Sequence, residues 1–166
     1  MTDVGKSLQY IATNRIETIQ TLQKFLLCDV LLFWSDNEEL NSLQQQQWSS
    51  LLQKLQEEYA LCLQTTCFLS VPDNSGAEKR FEELLQNMTD EELTVCMLSA
   101  EKLKSVLLGF LLAKKQIKAE QAFAAAYLEE LYQNKYWGTD EEADKSRQQI
   151  KEELLQIEEY FDGKMS

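Results

Sequence analysis

The scarcity of turn-forming residues is the feature that most limits what this chain can fold into. Its 166 residues include only five glycines and one proline. A β-sandwich or β-barrel needs a turn about every 8–12 residues, and glycine and proline build many of those turns. Long helices joined by short connections need far fewer. The sequence therefore predicts an all-α fold, and its length fits one domain around one hydrophobic core.

The spacing of apolar residues predicts where the helices lie. Apolar side chains recur at steps of three and four residues, which places them along one face of a helix. Asn14 is a plausible cap for the first helix, and capping boxes at Thr89 and Thr139 predict two later helix starts. We expect helices over about 14–26, 36–59, 78–87, 89–115, 117–136 and 139–161. The chain should then form a compact bundle of about five to six helices.

Three segments fit the helical pattern less well. The apolar run at residues 30–34 is expected to be buried, as either helix or extended chain. Alternation across residues 61–66 allows a short strand or an extended crossover near 61–69. Residues 71–76 carry the only strong loop signal of the chain.

The predicted domain organisation is one helical domain over residues 14–161. Residues 1–13 are expected to be an N-terminal extension or a residual targeting segment. Lys6 and Arg15, with Asp3 as the only acidic residue nearby, give at most a faint transit-peptide signal. Residues 162–166 are expected to be a tail.

Charge and hydropathy argue against two classes of partner. The net charge is −12, and an acidic surface without a basic stripe repels nucleic-acid backbones. No apolar run reaches the roughly 20 residues that a membrane span requires. The acidity itself fits either a solvated surface that keeps the protein soluble or a docking face for a basic partner.

The sequence carries no recognisable catalytic motif. The chain has no histidine, the commonest general base and metal ligand, and it contains neither a phosphate-binding loop nor a nucleophile elbow. Adjacent acidic pairs on helices point about 100° apart and do not converge on a substrate. The four cysteines lack zinc-ligand spacing and sit among apolar neighbours, which predicts buried, reduced thiols in a reducing compartment: Cys28, Cys62, Cys67 and Cys96. We expect no enzyme activity, cofactor or metal.

One polar and aromatic stripe is a candidate for binding another protein. Glu130, Gln133 and Trp137 fall close to one helical face, with Glu129 beside them, at the end of a predicted helix. A charged group, an amide and a large aromatic ring together suit protein recognition. The alternative is that Trp137 fills the core while Glu130 and Gln133 satisfy buried backbone groups.

The motifs of the chain resemble those of a known family. Residues 128–138 read Leu-Glu-Glu-x-x-Gln-x-x-x-Trp-Gly, residues 22–33 read Leu-x-x-Phe-Leu-x-x-Asp-x-Leu-Leu-Phe, and Trp48 and residues 99–105 stand in order between them. This order resembles the assembly chaperones for the α subunit of the ATP synthase F1 head, over about residues 14–161. The resemblance covers only the helical C-terminal domain, not the β-rich N-terminal domain of that family. Glu142-Ala143-Asp144 stands where mitochondrial members often carry His-Asp.

The resemblance implies a non-catalytic chaperone of the mitochondrial matrix. Such a protein covers the subunit interface of the F1 α subunit until assembly, and it uses no cofactor and no small-molecule substrate. Glu129, Glu130, Gln133 and Trp137 would then contact this client. The alternative is a helical subunit or scaffold that stays incorporated in a mitochondrial complex.

Overall fold

The computed structural model describes residues 3–67 and 72–165, and over this part of the chain the protein is all-helical, as predicted. Outside the described residues lie 1, 2, 68–71 and 166. They belong to the predicted N-terminal extension, the predicted extended segment, the predicted loop and the predicted tail. The helices, numbered in chain order, are α1 Val4–Thr13, α2 Arg15–Phe25, α3 Glu38–Tyr59, α4 Ser75–Gln86, α5 Asp90–Leu103, α6 Val106–Ala113, α7 Ala119–Ala126, α8 Leu128–Trp137 and α9 Glu141–Met165.

The prediction of about five to six helices was too low, because nine α-helices lie within the described residues. The predicted helix 89–115 is divided at Lys104, which adopts a left-handed conformation with φ of 55°. Ser105 then starts α6, and its hydroxyl accepts a hydrogen bond from the Leu108 amide at 3.1 Å. The left-handed residue turns the chain, so α6 folds back against α5 instead of continuing it.

The predicted helix 117–136 is divided at Tyr127. Its backbone leaves the helical region, and its hydroxyl donates to the Lys102 carbonyl at the end of α5, at 2.6 Å. The ring stacks on Phe123 with centroids 4.8 Å apart. This anchor holds Tyr127 at the boundary between α7 and α8.

The centre of the molecule is α6, all eight residues of which are buried. It approaches α5 so closely that a Cβ added at Gly109 would lie 2.7 Å from the Cys96 carbonyl oxygen. Only glycine permits this contact without displacing backbone. Phe81 of α4 packs against Phe110 of α6, and Trp48 of α3 and Phe161 of α9 are fully buried in the same core.

A buried carboxylate ties the segment after α2 to the start of α6. Asp29 is 1% exposed and lies between the 3-10 turns Leu26–Cys28 and Val30–Leu32. It accepts hydrogen bonds from the Leu31 amide at 3.0 Å, the Ser105 hydroxyl at 2.8 Å and the Leu107 amide at 2.8 Å. Burial raises the pKa of Asp29 to about 6, against these hydrogen bonds, which lower it.

The segment that follows α3 is an extended crossover. Thr66 pairs with Phe33 in a single parallel bridge, in which the Trp34 amide donates to the Thr66 carbonyl at 2.7 Å and the Thr66 amide donates to the Leu32 carbonyl at 2.9 Å. The apolar run at 30–34 is thus a 3-10 turn that leads into this bridge. Of the two possibilities predicted for residues 61–66, a short strand and an extended crossover, the structure has the extended crossover.

The N-terminal residues pack onto the bundle. Val4–Thr13 form α1, which lies against α5 and buries Ile11. Asn14 is the N-cap residue of α2, as predicted, but its side chain makes no capping bond there. It donates instead to the Tyr10 carbonyl at 2.9 Å and closes α1. An amide side chain can serve either helix end, and the presence of α1 decides which end it serves.

The prediction of four buried thiols holds for Cys96 alone. Cys28, Cys62 and Cys67 are exposed. In the crossover, Leu61 is fully buried, and the alternation of extended chain turns its neighbour Cys62 outward. Burial raises the pKa of the Cys96 thiol, which keeps it protonated and unreactive.

Candidate protein-binding site

Helix α8 carries the predicted site residues, and Lys135, Tyr136 and Trp137 in its last turn are exposed. Only the first residue of α8, Leu128, is buried. Trp137 is 87% exposed, so it does not fill the core as the alternative interpretation required. Gly138, with φ of 84°, ends the helix where predicted and donates its amide to the Asn134 carbonyl at 3.0 Å.

Glu129 and Gln133 lie in solvent on the same side of α8 as Trp137. Both side chains are exposed, and their spacing on a regular helix places them on one face with the indole. Trp137 donates no hydrogen bond to any described residue. The helix therefore presents a large aromatic ring with polar neighbours and without a partner in the described chain.

Glu130 differs from the other predicted site residues because it is engaged within the fold. Its carboxylate lies 3.4 Å from a guanidinium nitrogen of Arg147 and 3.7 Å from the Lys104 ammonium. Arg147 is itself buried and also pairs with Asp144. Glu130 thus connects α8 to α9, at the edge of the exposed face.

Three residues outside the predicted site set, Glu39, Tyr132 and Tyr136, hold the end of α8. The Tyr136 hydroxyl lies 2.7 Å from both carboxylate oxygens of Glu39 in the first turn of α3. The Tyr132 hydroxyl lies 3.2 Å from the same carboxylate and 3.3 Å from the Asn37 amide oxygen. The spacing of the two tyrosines, four residues apart on a helix, was visible in the sequence, but their acceptor was not.

The hydrogen bonds at Glu39 fix the protonation of all three groups. The bond from Tyr136 lowers the pKa of the Glu39 carboxyl and raises the pKa of Tyr136 to about 12. Partial burial and then Glu39 raise the pKa of Tyr132. Near neutral pH the carboxylate stays ionised and both phenols stay protonated, so this cluster suits positioning and does not suit general acid–base chemistry.

Neither a metal nor a membrane site appears in the part of the chain that the structure describes. No three Asp, Glu or Cys side chains there come together as metal ligands. None of the helices over residues 3–67 and 72–165 combines the length and the hydropathy needed to cross a bilayer.

Comparison with known proteins identifies the fold through solved structures. No protein-family model matches the sequence, and no curated protein is significantly similar to it. The structure is similar to the crystal structure of Atp12 from Paracoccus denitrificans, with a TM-score of 0.87 and 21% identity, over 94% of this chain and 68% of that chain. A point variant of the same Atp12 matches equally well. A protein from Agrobacterium tumefaciens, for which a chaperone role is suggested, matches with a TM-score of 0.75 and 22% identity, over 92% of this chain and 57% of its own.

Proposed function

We propose that this protein is a non-catalytic assembly chaperone that binds the α subunit of the ATP synthase F1 head through the exposed face of α8. The single observation that carries the proposal is the exposure of Trp137 on a chain that shares its fold with Atp12. Glu129, Gln133 and Glu130 would surround this anchor. The proposed site of action is the mitochondrial matrix.

The physical character of the face supports a transient complex. An exposed indole gives a partner a large apolar contact, and tryptophan is the residue type most often found to dominate interface energetics. The charged and amide neighbours keep the surface soluble when no client is bound. A chaperone must release its client to the assembling complex, and a small aromatic patch with a polar rim suits such reversible binding.

The proposal also gives the acidic surface a function. The residues that follow Trp137 in sequence include Asp140, Glu141 and Glu142. A client surface with cationic side chains beside an apolar pocket would be complementary to this end of α8. Association should then be faster at low ionic strength than at high ionic strength.

The test is binding of the purified F1 α subunit to three variants. Trp137→Ala removes the proposed anchor, and we expect it to weaken binding about tenfold or more. Glu129→Lys reverses a charge that is exposed and makes no ion pair with a described residue, so a loss of affinity reports the interface directly. Ile16→Ala is the matched control, because Ile16 is 75% exposed on α2 and lies outside the face.

Glu130 requires a neutral substitution in the same series. Glu130→Lys would place a third cation beside Lys104 and Arg147, so its effect would mix folding with binding. Glu130→Gln removes the charge without adding repulsion. If Trp137→Ala and Glu129→Lys melt and bind like the wild type, the α8 face is not the client surface. Recovery of the protein with fully assembled ATP synthase would instead favour the permanent-subunit alternative.

A further inference from the structure

The last turn of α8 has little apolar burial to hold it. Tyr136 is 52% exposed and Trp137 is 87% exposed, so the hydrophobic effect contributes little in this turn. Isolated helical turns at the end of a helix fray readily. The contacts that hold this turn to the rest of the protein are therefore mainly polar.

The strongest such contact is the cluster at the start of α3. Glu39 receives hydrogen bonds from two phenols, and the rings of Tyr132 and Tyr136 lie against each other with centroids 5.1 Å apart. Glu39 itself is fixed by its position in the first turn of α3, which Asn37 caps by accepting from the Leu40 amide at 3.0 Å. Charge-assisted hydrogen bonds of this kind are shorter and stronger than neutral ones.

We propose that Glu39 is a positioning residue, which holds the last turn of α8 through Tyr132 and Tyr136 and thereby presents Trp137 to the client. The inference rests on the proposed function for the role of Trp137, but its structural part does not. Glu39 need not touch the client for this. It acts by reducing the number of orientations that Trp137 samples before binding, which lowers the entropic cost of association.

The first measurement is amide hydrogen exchange in the last turn of α8, residues 134–138. We expect Glu39→Ala to speed exchange there about threefold or more, and to leave α5 and α6 unchanged. Glu38→Ala is the matched control, since it removes the same charge from the same turn of α3 without a hydrogen bond to α8. Glu39→Gln keeps an acceptor oxygen and should restore much of the protection.

The second measurement is affinity for the purified F1 α subunit in the same variants. We expect Glu39→Ala to weaken binding about threefold to tenfold, and Glu38→Ala to change it less than about twofold. In a Trp137→Ala background the Glu39→Ala substitution should have little further effect, because the group that it positions is gone. A purely structural role for Glu39 would not produce this dependence on Trp137.

The outcomes separate this inference from the proposed function. If Glu39→Ala leaves both the exchange of the last turn and the affinity unchanged, the positioning role is overturned, whatever Trp137→Ala does. If Glu39→Ala loosens the turn but neither substitution changes affinity, the proposed function fails while the hold of Glu39 on α8 stands. Faster exchange together with a loss of affinity that depends on Trp137 supports the inference.

Discussion

The interior around Trp48 and the tip of α8 around Trp137 place the same side chain in opposite environments. Trp48 is fully buried, and its indole N–H donates to the Ala125 carbonyl at 2.9 Å. It packs edge to face with Trp34, with ring centroids 6.1 Å apart. Trp137 is 87% exposed and donates to no described residue. A buried indole needs a partner for its N–H, and an exposed one can offer both its ring and its N–H to another protein. Under the proposed function, stability and recognition would thus be carried by different residues.

Alanine substitutions at the two tryptophans give the largest expected contrast. Trp48→Ala should cost about 3–5 kcal/mol of unfolding free energy, because it leaves a cavity and an unpaired carbonyl in the core. Trp137→Ala should change the free energy of unfolding by less than about 0.5 kcal/mol. Urea unfolding of both variants measures the difference. A cost above about 1 kcal/mol at Trp137 would mean that the ring packs on the protein in solution, and the candidate face would lose its anchor.

The interior and the tip of α8 also shift the pKa of a carboxyl group in opposite directions. Asp29 and Glu39 both accept hydrogen bonds from side-chain hydroxyls. Burial dominates at Asp29 and raises its pKa to about 6, whereas the hydrogen bond from Tyr136 dominates at Glu39 and lowers its pKa. The same chemistry gives opposite shifts because only the interior withholds water from the charge.

The pH dependence of stability should therefore carry the signature of Asp29. Its pKa rises from 3.8 when unfolded to about 6 when folded, so the folded state binds more protons between these values. Stability from this group is complete below about pH 4 and is lost as pH rises through about 6, by on the order of 3 kcal/mol. Chemical unfolding between pH 3.5 and 7 measures it, with Asp29→Asn, which cannot titrate, as the reference.

The contribution of Asp29 appears as a change with pH in the difference between the unfolding free energies of the wild type and Asp29→Asn. Wild type should lose stability relative to Asp29→Asn across this window. The asparagine also turns one amide N–H₂ group toward backbone donors, which lowers its stability at every pH without adding a slope. A flat difference would show that the hydrogen bonds from Ser105 and the backbone amides fully offset burial. A difference that moves in favour of the wild type as pH rises would show that these hydrogen bonds outweigh burial, and the opposition between Asp29 and Glu39 would then disappear.

Local pattern was enough to predict that the helices exist, but not where they break. Helical spacing of apolar residues and the Thr89 capping box, which the structure confirms, depend only on near neighbours. The break at Lys104 follows from a contact between Ser105 and Asp29, 76 residues apart in sequence. Lysine has no preference for the left-handed conformation that it adopts there. Tertiary structure imposes that turn, so spacing could not reveal it.

The candidate face was predictable in part for the same reason. The spacing of Glu129, Gln133 and Trp137 placed them on one helical face, as the structure finds. Their exposure, and the pairing of Glu130 with Arg147, depend on how α8 meets α3 and α9, which the sequence pattern does not encode. Glu39, 97 residues from Tyr136, could not be identified from sequence as a partner of this face.

The smallest expected effect lies in the turn that joins α8 to α9, next to Trp137. The sequence predicted a capping box beginning at Thr139, but the helix begins one residue later: the Asp140 carboxylate accepts from the Glu142 amide at 3.1 Å, and the Asp140 carbonyl accepts from the Asp144 amide at 2.9 Å. Aspartate is the more favourable N-cap residue here because its charge also complements the positive end of the helix dipole.

Asp140→Ala should therefore cost about 1 kcal/mol of unfolding free energy, whereas Thr139→Ala should cost less than about 0.5 kcal/mol. Asp140→Asn, which caps without the charge, should recover most of the loss and leave a remainder that salt diminishes. Thermal and urea unfolding of the three variants at low and high salt measure the cost of each substitution and the part of it that depends on salt. The reverse order, with Thr139→Ala the costlier change, would restore the capping box predicted from sequence. It would also mean that the turn beside Trp137 adopts a different conformation in solution, which would alter the direction in which α8 presents its indole.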